Sequence, residues 1–321
     1  MKEGSVKVGT PLFFDKQDSR IKFLSPAGGE IKNITYGNRR SLDLVEIEIS
    51  EKEEFEQLKS IEKEMLSKTS REELVKTLCE NGVWPFLRSF PFNKIASPDD
   101  VPASIYVSID NDEPHMPQSE VFLNGREDDF RYGLEILNKL TSQVVVGVAS
   151  KNKVVQQKFQ DVITHRLEGH YPANHPGVHL YYNKTSEKEN NSWYIKAHDL
   201  ILLANCLNTG KFPTSRVVVL AGSSAQNRAH YNVRFGAPYS AVLGTEESNE
   251  QIRYIAGGVL TGRKSTANSY FGFYDTALNL IPEGREPEMF SFFKPGFDKP
   301  SFSRTYLSAL SMVGNWEMSS S

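Results

Sequence analysis

The chain is 321 residues long, 39% hydrophobic and 24% charged, with a formal net charge of −3. These values describe an ordinary globular protein of roughly two or three domains and give no electrostatic reason to expect nucleic acid as a partner. Cys79 and Cys206 are the only cysteines, so this chain cannot by itself supply an iron–sulfur cluster, a Cys-rich zinc site or a disulfide framework. The longest apolar runs, VVVGVA and LILLANCL, fall well short of the roughly 18–20 residues that cross a bilayer. Membrane association is therefore expected to come through a partner, from a cytoplasmic location.

The first block, VKVGTPLFFDKQDSRIKFLSPAGGEI from Val6 to Ile31, reads as short strands separated by Gly turns and a polar hairpin. Leu12/Phe14 and Ile21/Phe23 alternate as inward strand positions do. The pattern resembles the biotinyl/lipoyl hammerhead barrel, which opens on such a run and turns back at S-P-x-x-G. Its first strands are missing here, so a partial hammerhead is expected over residues 1–50, closing on Leu44, Glu46, Ile47 and Ile49. Carriers of that fold place an acylated lysine at the tip of a tight hairpin. Lys16 lies in the corresponding region, but its spacing to Ser25-Pro26 is longer than in carriers and no Met flanks it. A solvated hairpin lysine is the expected reading, with a lipoyl- or biotinyl-type carrier modified at Lys16 as the alternative.

The charged run Glu51 to Glu64 suggests a solvated linker helix within residues 51–69. Ser70 and Glu73 then form a capping-box signature for a helix stopped by Asn81-Gly82. Strand-like runs at 104–110 (SIYVSID) and 144–149 (VVVGVA) alternate with helices expected over Asp129–Leu140, Val154–Val162 and Ala197–Leu207. Unbroken β-branched strands in strand–helix–strand order argue for a buried parallel sheet, a Rossmann-like α/β domain spanning 70–213. From Thr214, RVVVLAGS and QIRYIAGGVLTG are strands joined by a helix-poor stretch. They suggest a small β-grasp (SLBB-like) domain over 214–270. An extended tail, 271–321, carries alternating strands (FGFYDTALNLIPEG) and is expected to be truncated. The fold class expected is thus multidomain α/β.

His165, His170, His175 and His179 fall in HRLEGHYPANHPGVH, which tempts a metal reading. Yet there is no HExxH-type helical pair, and Pro172 and Pro176 would break a helix. A rigid structural or docking loop before an HLYY strand is the expected outcome, with no metal. No G-x-G-x-x-G follows a strand, so no dinucleotide site is expected, and GGVLTG at 257–262 reads as a turn. Between Gly82 and the strand at 104 lies GVWPFLRSFPFNKIASPDDVP. There Trp84, Phe86, Phe90 and Phe92 crowd around two prolines, interleaved with Arg88 and Lys94. These aromatics read either as core filler or as an apolar pocket with a cationic rim, suited to a flat lipophilic ring.

The stretches VKVGTPLFFDK, KFLSPAGGEI, ENGVWPFLRSFPFNKI, GHYPANHPGVHL, RVVVLAG, GGVLTG, EGRE and SRTYLSAL, in that order, resemble the family of A subunits of Na+-translocating NADH:quinone oxidoreductases (NqrA). The resemblance implies a peripheral subunit on the cytoplasmic face of a bacterial inner membrane. It implies a complex that oxidises NADH, reduces ubiquinone and exports Na+, with flavins and an iron–sulfur centre in other subunits. Partners would be those subunits, chiefly the membrane subunit, together with ubiquinone. The family is in turn similar to the flavoprotein subunit of complex I and the C subunit of Rnf complexes; the latter is the nearest rival. The complex I flavoprotein wraps FMN in a Gly-rich run that precedes a strand and an N-x-D-E-x-E-P-G element. Asp110, Asn111, Asp112, Glu113 and Pro114 keep a trace of that element, but WPFLRSFPF replaces the glycines. Backbone amides cannot approach a phosphate past such side chains, so no bound cofactor is expected in this chain. No catalytic acid, base or nucleophile is expected either. Trp84, Phe86, Arg88, Phe90, Phe92 and Lys94 are the candidate quinone-binding residues.

Overall fold

A computed structural model of the protein describes residues 4–244 except 112, together with 251–284, 293, 295–297 and 306–310. The chain divides into two compact units, residues 1–113 with 117–216 and residues 114–116 with 217–321. The first opens with β1 (Ser5–Val6), β2 (Pro11–Phe14), β3 (Lys22–Leu24), β4 (Gly29–Tyr36) and β5 (Leu42–Ile49). β1, β4 and β5 form one antiparallel sheet, and β2 and β3 a separate hairpin. Val8, Ile21, Leu24, Ala27 and Ile31 make the local core. Phe14 does not join it, against the expected alternation. A register shift between Pro11 and Phe13 turns it outward, leaving it 60% exposed, while Phe13 stacks on Phe23 at 4.7 Å. Gly29 lets β4 and β5 close up, since a Cβ there would lie 1.9 Å from the Glu48 carbonyl oxygen.

β5 is paired on one side only, and β4 pairs β1 only through Gly29 and Glu30. An isolated two-stranded ribbon is marginal in water. Amides of residues 31–49 should therefore exchange with deuterium faster than those of the central strands described next. Equal protection in a hydrogen-exchange experiment would contradict this reading.

The expected linker helix does not form over Glu51–Glu64; only Lys63–Leu66 (α1) is helical. The run is extended, and its backbone groups find partners elsewhere. The amides of Val8 and Glu56 reach Glu54 and Val8 carbonyls at 2.9 and 2.8 Å, and those of Leu58 and Ile61 reach Gly210 and Leu207 at 3.0 and 2.8 Å. Charge density had marked exposure rather than helicity: Ile61 is the residue that anchors the segment in the core.

Beyond it come α2 (Arg71–Glu80), β6 (Arg88–Ser89), β7 (Lys94–Ile95), β8 (Ile105–Ser108), α3 (Ser119–Phe122), α4 (Glu127–Leu140), β9 (Val144–Ala149), α5 (Lys153–Lys158), β10 (His165–Leu167), α6 (Pro176–Asn183), β11 (Trp193–Lys196) and α7 (Ala197–Thr209). The Ser70 hydroxyl accepts the Glu73 amide at 3.2 Å, and Gly82, at φ +69°, follows the α2 C-cap, as the capping pattern requires. The sheet runs β10-β9-β8-β11-β6-β7. Its first four strands are parallel, as the β-branched runs implied, and β6 and β7 close one edge antiparallel. The HLYY segment, expected as a strand, is the second half of α6 instead. Pro176 starts that helix rather than breaking it: at the first helical position its missing N–H costs nothing, and the His175 ring accepts the Gly177 amide at 3.1 Å.

The second unit is built on β12 (Ser215–Ala221), β13 (Ala229–Arg234), the short α8 (Ser240–Leu243), β14 (Ile252–Ala256), β15 (Arg263–Ser265) and β16 (Ala277–Pro282). Its sheet runs β13-β12-β16-β14-β15. β16, assigned from sequence to a tail, lies at the centre of this sheet, parallel to β12 and antiparallel to β14. A boundary at residue 270 would remove the middle strand. Val218, Leu220, Tyr239, Tyr254 and Leu278 form the core beside it. GGVLTG makes the turn between β14 and β15, with Gly257 at φ +95°. Residues 285 and 286 of the EGRE motif, residues 303–305 of SRTYLSAL, and the closing SMVGNWEMSSS lie outside the described residues.

Candidate functional site

The loop 84–94 divides into a buried half and an exposed half. Trp84 and Phe86, in a single helical turn, are 0% and 1% exposed. The Trp84 indole N–H donates to the Ala96 carbonyl at 2.7 Å, and its ring meets Trp193 edge-on at 5.6 Å. These two residues pack the core and present no face to a ligand. The chain then enters the sheet: β6 pairs with β11, so that Arg88 faces Tyr194, and β7 returns as the outer edge. At the turn between them Phe92 is 78% exposed and Lys94 is also exposed.

Phe90 and Arg88 link the two halves. Phe90 is half-buried, 5.0 Å from the Tyr194 ring and 6.2 Å from that of Tyr106. Tyr106, Tyr194 and Val145 stand on adjacent parallel strands in matching register and therefore share a face, which Leu180 of α6 covers. Rings continue along it: Tyr106 meets His179 at 5.1 Å, His179 meets His165 at 4.7 Å, and His175 lies 6.5 Å from Tyr194. Asn93, at φ +51°, fixes the hairpin. Its side-chain oxygen accepts from the Tyr194 hydroxyl and from Arg88 Nε at 3.0 Å, and its carbonyl accepts from Arg88 Nη2.

Of the four histidines, the fold brings His165 and His179 together, uses His175 as a helix cap and leaves His170 exposed in a turn. Burial, helped by the charge of His165, pushes His179 down to about 4. His175, although exposed at the surface, is lowered as well, by partial desolvation and then by Lys196. The His179 ring is neutral near pH 7, and its buried Nε2 has no hydrogen-bond partner. Burial raises the Tyr194 and Tyr106 phenols, which stay protonated as donors. Among the described residues no group of three or more His, Cys, Asp or Glu side chains is arranged to hold a metal ion. The site can offer aromatic faces, neutral donors and one guanidinium. It holds no charged acid–base pair.

Sequence reasoning missed Tyr106, Tyr194 and Asn93. The signal available was a tyrosine at a facing position in each of two short apolar strands. The trace of the N-x-D-E element is engaged in structure. Asp110 Oδ1 accepts from Ser119 Oγ and Asn152 Nδ2 at 2.6 and 2.8 Å, and its Oδ2 accepts from the Ala149 amide at 2.9 Å. It clamps the carboxyl ends of β8 and β9, while Asp112 lies outside the described residues. Lys16 is exposed in the loop of residues 15–21, which is longer than a carrier's tight turn.

Residues 1–50 match the model of the NqrA N-terminal barrel-sandwich hybrid domain, residues 69–212 that of the NqrA second alpha/beta domain, and residues 217–267 that of the NQRA C-terminal domain. The A subunit of the Na(+)-translocating NADH-quinone reductase of Psychromonas ingrahamii is 32% identical over 95% of this chain and 68% of its own length. The chain belongs to the NqrA family. The corresponding subunits of Vibrio atlanticus and Neisseria meningitidis serogroup B are 31% and 32% identical, over 95% and 96% of this chain and 68% and 69% of theirs. Membership of the NqrA family decides against the Rnf-type and carrier alternatives raised by the sequence. The central strand β16 of the second unit follows the last residue matched by the C-terminal domain model. Among the described residues, no helix of this NqrA-family chain is long and apolar enough to cross a membrane.

Proposed function

We propose that the chain serves as a peripheral subunit of a sodium-pumping NADH:ubiquinone reductase, on the cytoplasmic face of the inner membrane, with an assembly role beside the membrane subunit. The relatives' names support the complex, and the domain order supports the finer fold labels of hammerhead-like, Rossmann-like and β-grasp. Flavins and the iron–sulfur centre belong, on this reading, to other subunits. What supports the absence of flavin here is that Trp84 and Phe86, set by the sequence resemblance against the Gly-rich run of the complex I flavoprotein, are buried bulky side chains.

The hairpin Arg88–Lys94 is the proposed contact with the quinone head group. The observation that carries this is the junction at Phe90: an open edge bearing Phe92 and Lys94 runs into a row of aromatic rings held by Tyr106, Tyr194 and His179. A quinone is a flat ring with two carbonyl acceptors. Stacking on Phe90 or Phe92 supplies about 0.5–1.5 kcal/mol per ring, and a hydrogen bond from Arg88 or Lys94 about 1 kcal/mol. Such terms give weak binding to this chain alone, strengthened where the complex completes the pocket. Trp84 and Phe86 act behind the site by fixing the base of the hairpin.

Titration of the purified protein with a water-soluble ubiquinone and with FMN tests both halves of the proposal. Quinone should perturb hairpin resonances in an NMR spectrum. Arg88→Ala should weaken that response several-fold with little change in melting temperature, and FMN should not bind. Stoichiometric FMN uptake, or a photoreactive quinone that labels the intact complex but never residues 88–94, would overturn it.

A further inference from the structure

A second concavity lies away from the hairpin, between the β2–β3 ribbon, α2 and the loop after β7. It encloses about 440 Å³, within the range of about 300–1,000 Å³ typical of small-molecule sites. Its floor is apolar: Val75 and Cys79, one turn apart on α2, with Pro98 opposite. Burial pushes the Cys79 thiol up to about 12, so at neutral pH it is an inert small hydrophobe.

The rim is charged but unevenly engaged. Arg20 is fully occupied, holding Asp18 and Asp99 in bidentate pairs at 2.6–3.1 Å, and so ties the ribbon to the loop. Glu72 is held by its own backbone amide and the Ser70 hydroxyl at the start of α2. Arg71 reaches only the Asp100 carbonyl, through Nη2 at 2.5 Å, and its Nε–H is buried with no acceptor. Among the described residues no carboxylate lies within ion-pair distance of Arg71, Lys22 or Lys76; Glu80 alone stands uncommitted at the far end. Arg71 feels the charge of Glu72, but a buried guanidinium N–H without an acceptor still carries a desolvation cost that an anion would offset. Arg20, Asp18 and Asp99 satisfy one another at the rim, which leaves the Lys22 and Lys76 ammoniums as the cations with no ion-pair partner among the described residues.

We propose that this cleft is a binding site for a small amphipathic monoanion, a carboxylate on an apolar body, its head at Arg71, Lys22 and Lys76 and its body on Val75, Cys79 and Pro98. A carboxylate head meets the free ammoniums while its apolar body covers the floor, whereas inorganic phosphate finds no use for the apolar floor.

The test is calorimetric titration of the 321-residue chain with octanoate, octanol and inorganic phosphate as probes. Octanoate should bind saturably, with Kd below about 1 mM, and at least tenfold more tightly than either other probe. The double variant Lys22→Ala/Lys76→Ala, at positions whose side chains make no hydrogen bond or ion pair among the described residues, should lose at least tenfold in octanoate affinity. Lys151→Ala, on a remote exposed turn, should lose nothing. Absence of saturable octanoate binding up to about 10 mM would overturn the proposal. So would equal binding by the double variant, phosphate bound as tightly as octanoate, or octanol bound as tightly as octanoate.

Discussion

Replacing Trp84 by alanine should destabilise the folded chain by about 3–5 kcal/mol, while Phe92→Ala should change stability by less than about 0.5 kcal/mol. The two residues stand eight positions apart in the same Pro-stiffened aromatic run, and the sequence offers no reason to treat them differently. Burial separates them: Trp84 is 0% exposed and Phe92 78%. Loss of the Trp84 ring removes its edge contact with Trp193 and leaves a large cavity. It also leaves the Ala96 carbonyl, which accepts the indole N–H, without that partner. Phe90→Ala should fall between the two, since that ring is half-buried against Tyr106 and Tyr194. Urea unfolding followed by circular dichroism, with the slope checked for constancy, measures all three. A Trp84→Ala protein as stable as the parent would mean that the indole is not core, and the division of the loop would fail with it.

Stability should also fall steeply as pH drops from about 6.5 towards 4. His179 and His198 are 6% and 5% exposed. His198 stacks on Phe122 at 4.6 Å, and burial, reinforced by Arg216, Lys196 and Arg126, holds it well below its ordinary value. His179 is down at about 4, again chiefly through burial. Each imidazole is thus neutral in the fold but takes up a proton near pH 6.5 when unfolded. Above that pH neither state is protonated, and the folded state carries its full stability. Below it the unfolded chain binds the proton first, so stability is lost as pH falls. For His179 the loss is on the order of 2–3 kcal/mol by pH 4, and His198 adds to it in the same window. The carboxylates held low by partners, such as Asp18 and Asp161, act at lower pH still. Unfolding free energies measured between pH 7.5 and 4.5 should show the decline in the parent and a shallower one in His198→Phe and His179→Phe. If both variants kept the parental slope, neither ring would be buried neutral.

Much of the scaffold was legible in one dimension because it rests on local rules. The capping pair Ser70/Glu73 and the Asn81-Gly82 stop set α2 to within a residue, and the β-branched runs at 104–110 and 144–149 gave two parallel neighbours. The matched strings gave the family. What failed was whatever depended on partners distant in sequence. The charged run at 51–64 looked helical because glutamate and lysine favour helices. It is extended because its amides reach Gly210 and Leu207, about 150 residues away. The HLYY segment read as a strand because tyrosine and leucine suit strands. It is helical because Pro176 and the His175 cap start a helix that covers Tyr106 and Tyr194. β16 read as a tail because nothing local says that a strand fifty-six residues after β12 will pair beside it.

By itself, then, the sequence determined the chemistry available: no cysteine cluster, no Gly-rich phosphate loop, an aromatic run with two interleaved cations, and a family. Only the tertiary structure decided which of those aromatics a ligand can touch. Exposure is a property of the neighbours a side chain acquires. Trp84 acquires Trp193 from more than a hundred residues downstream and disappears into the core, while Phe92, at the turn of an edge hairpin, acquires no cover and remains at the surface.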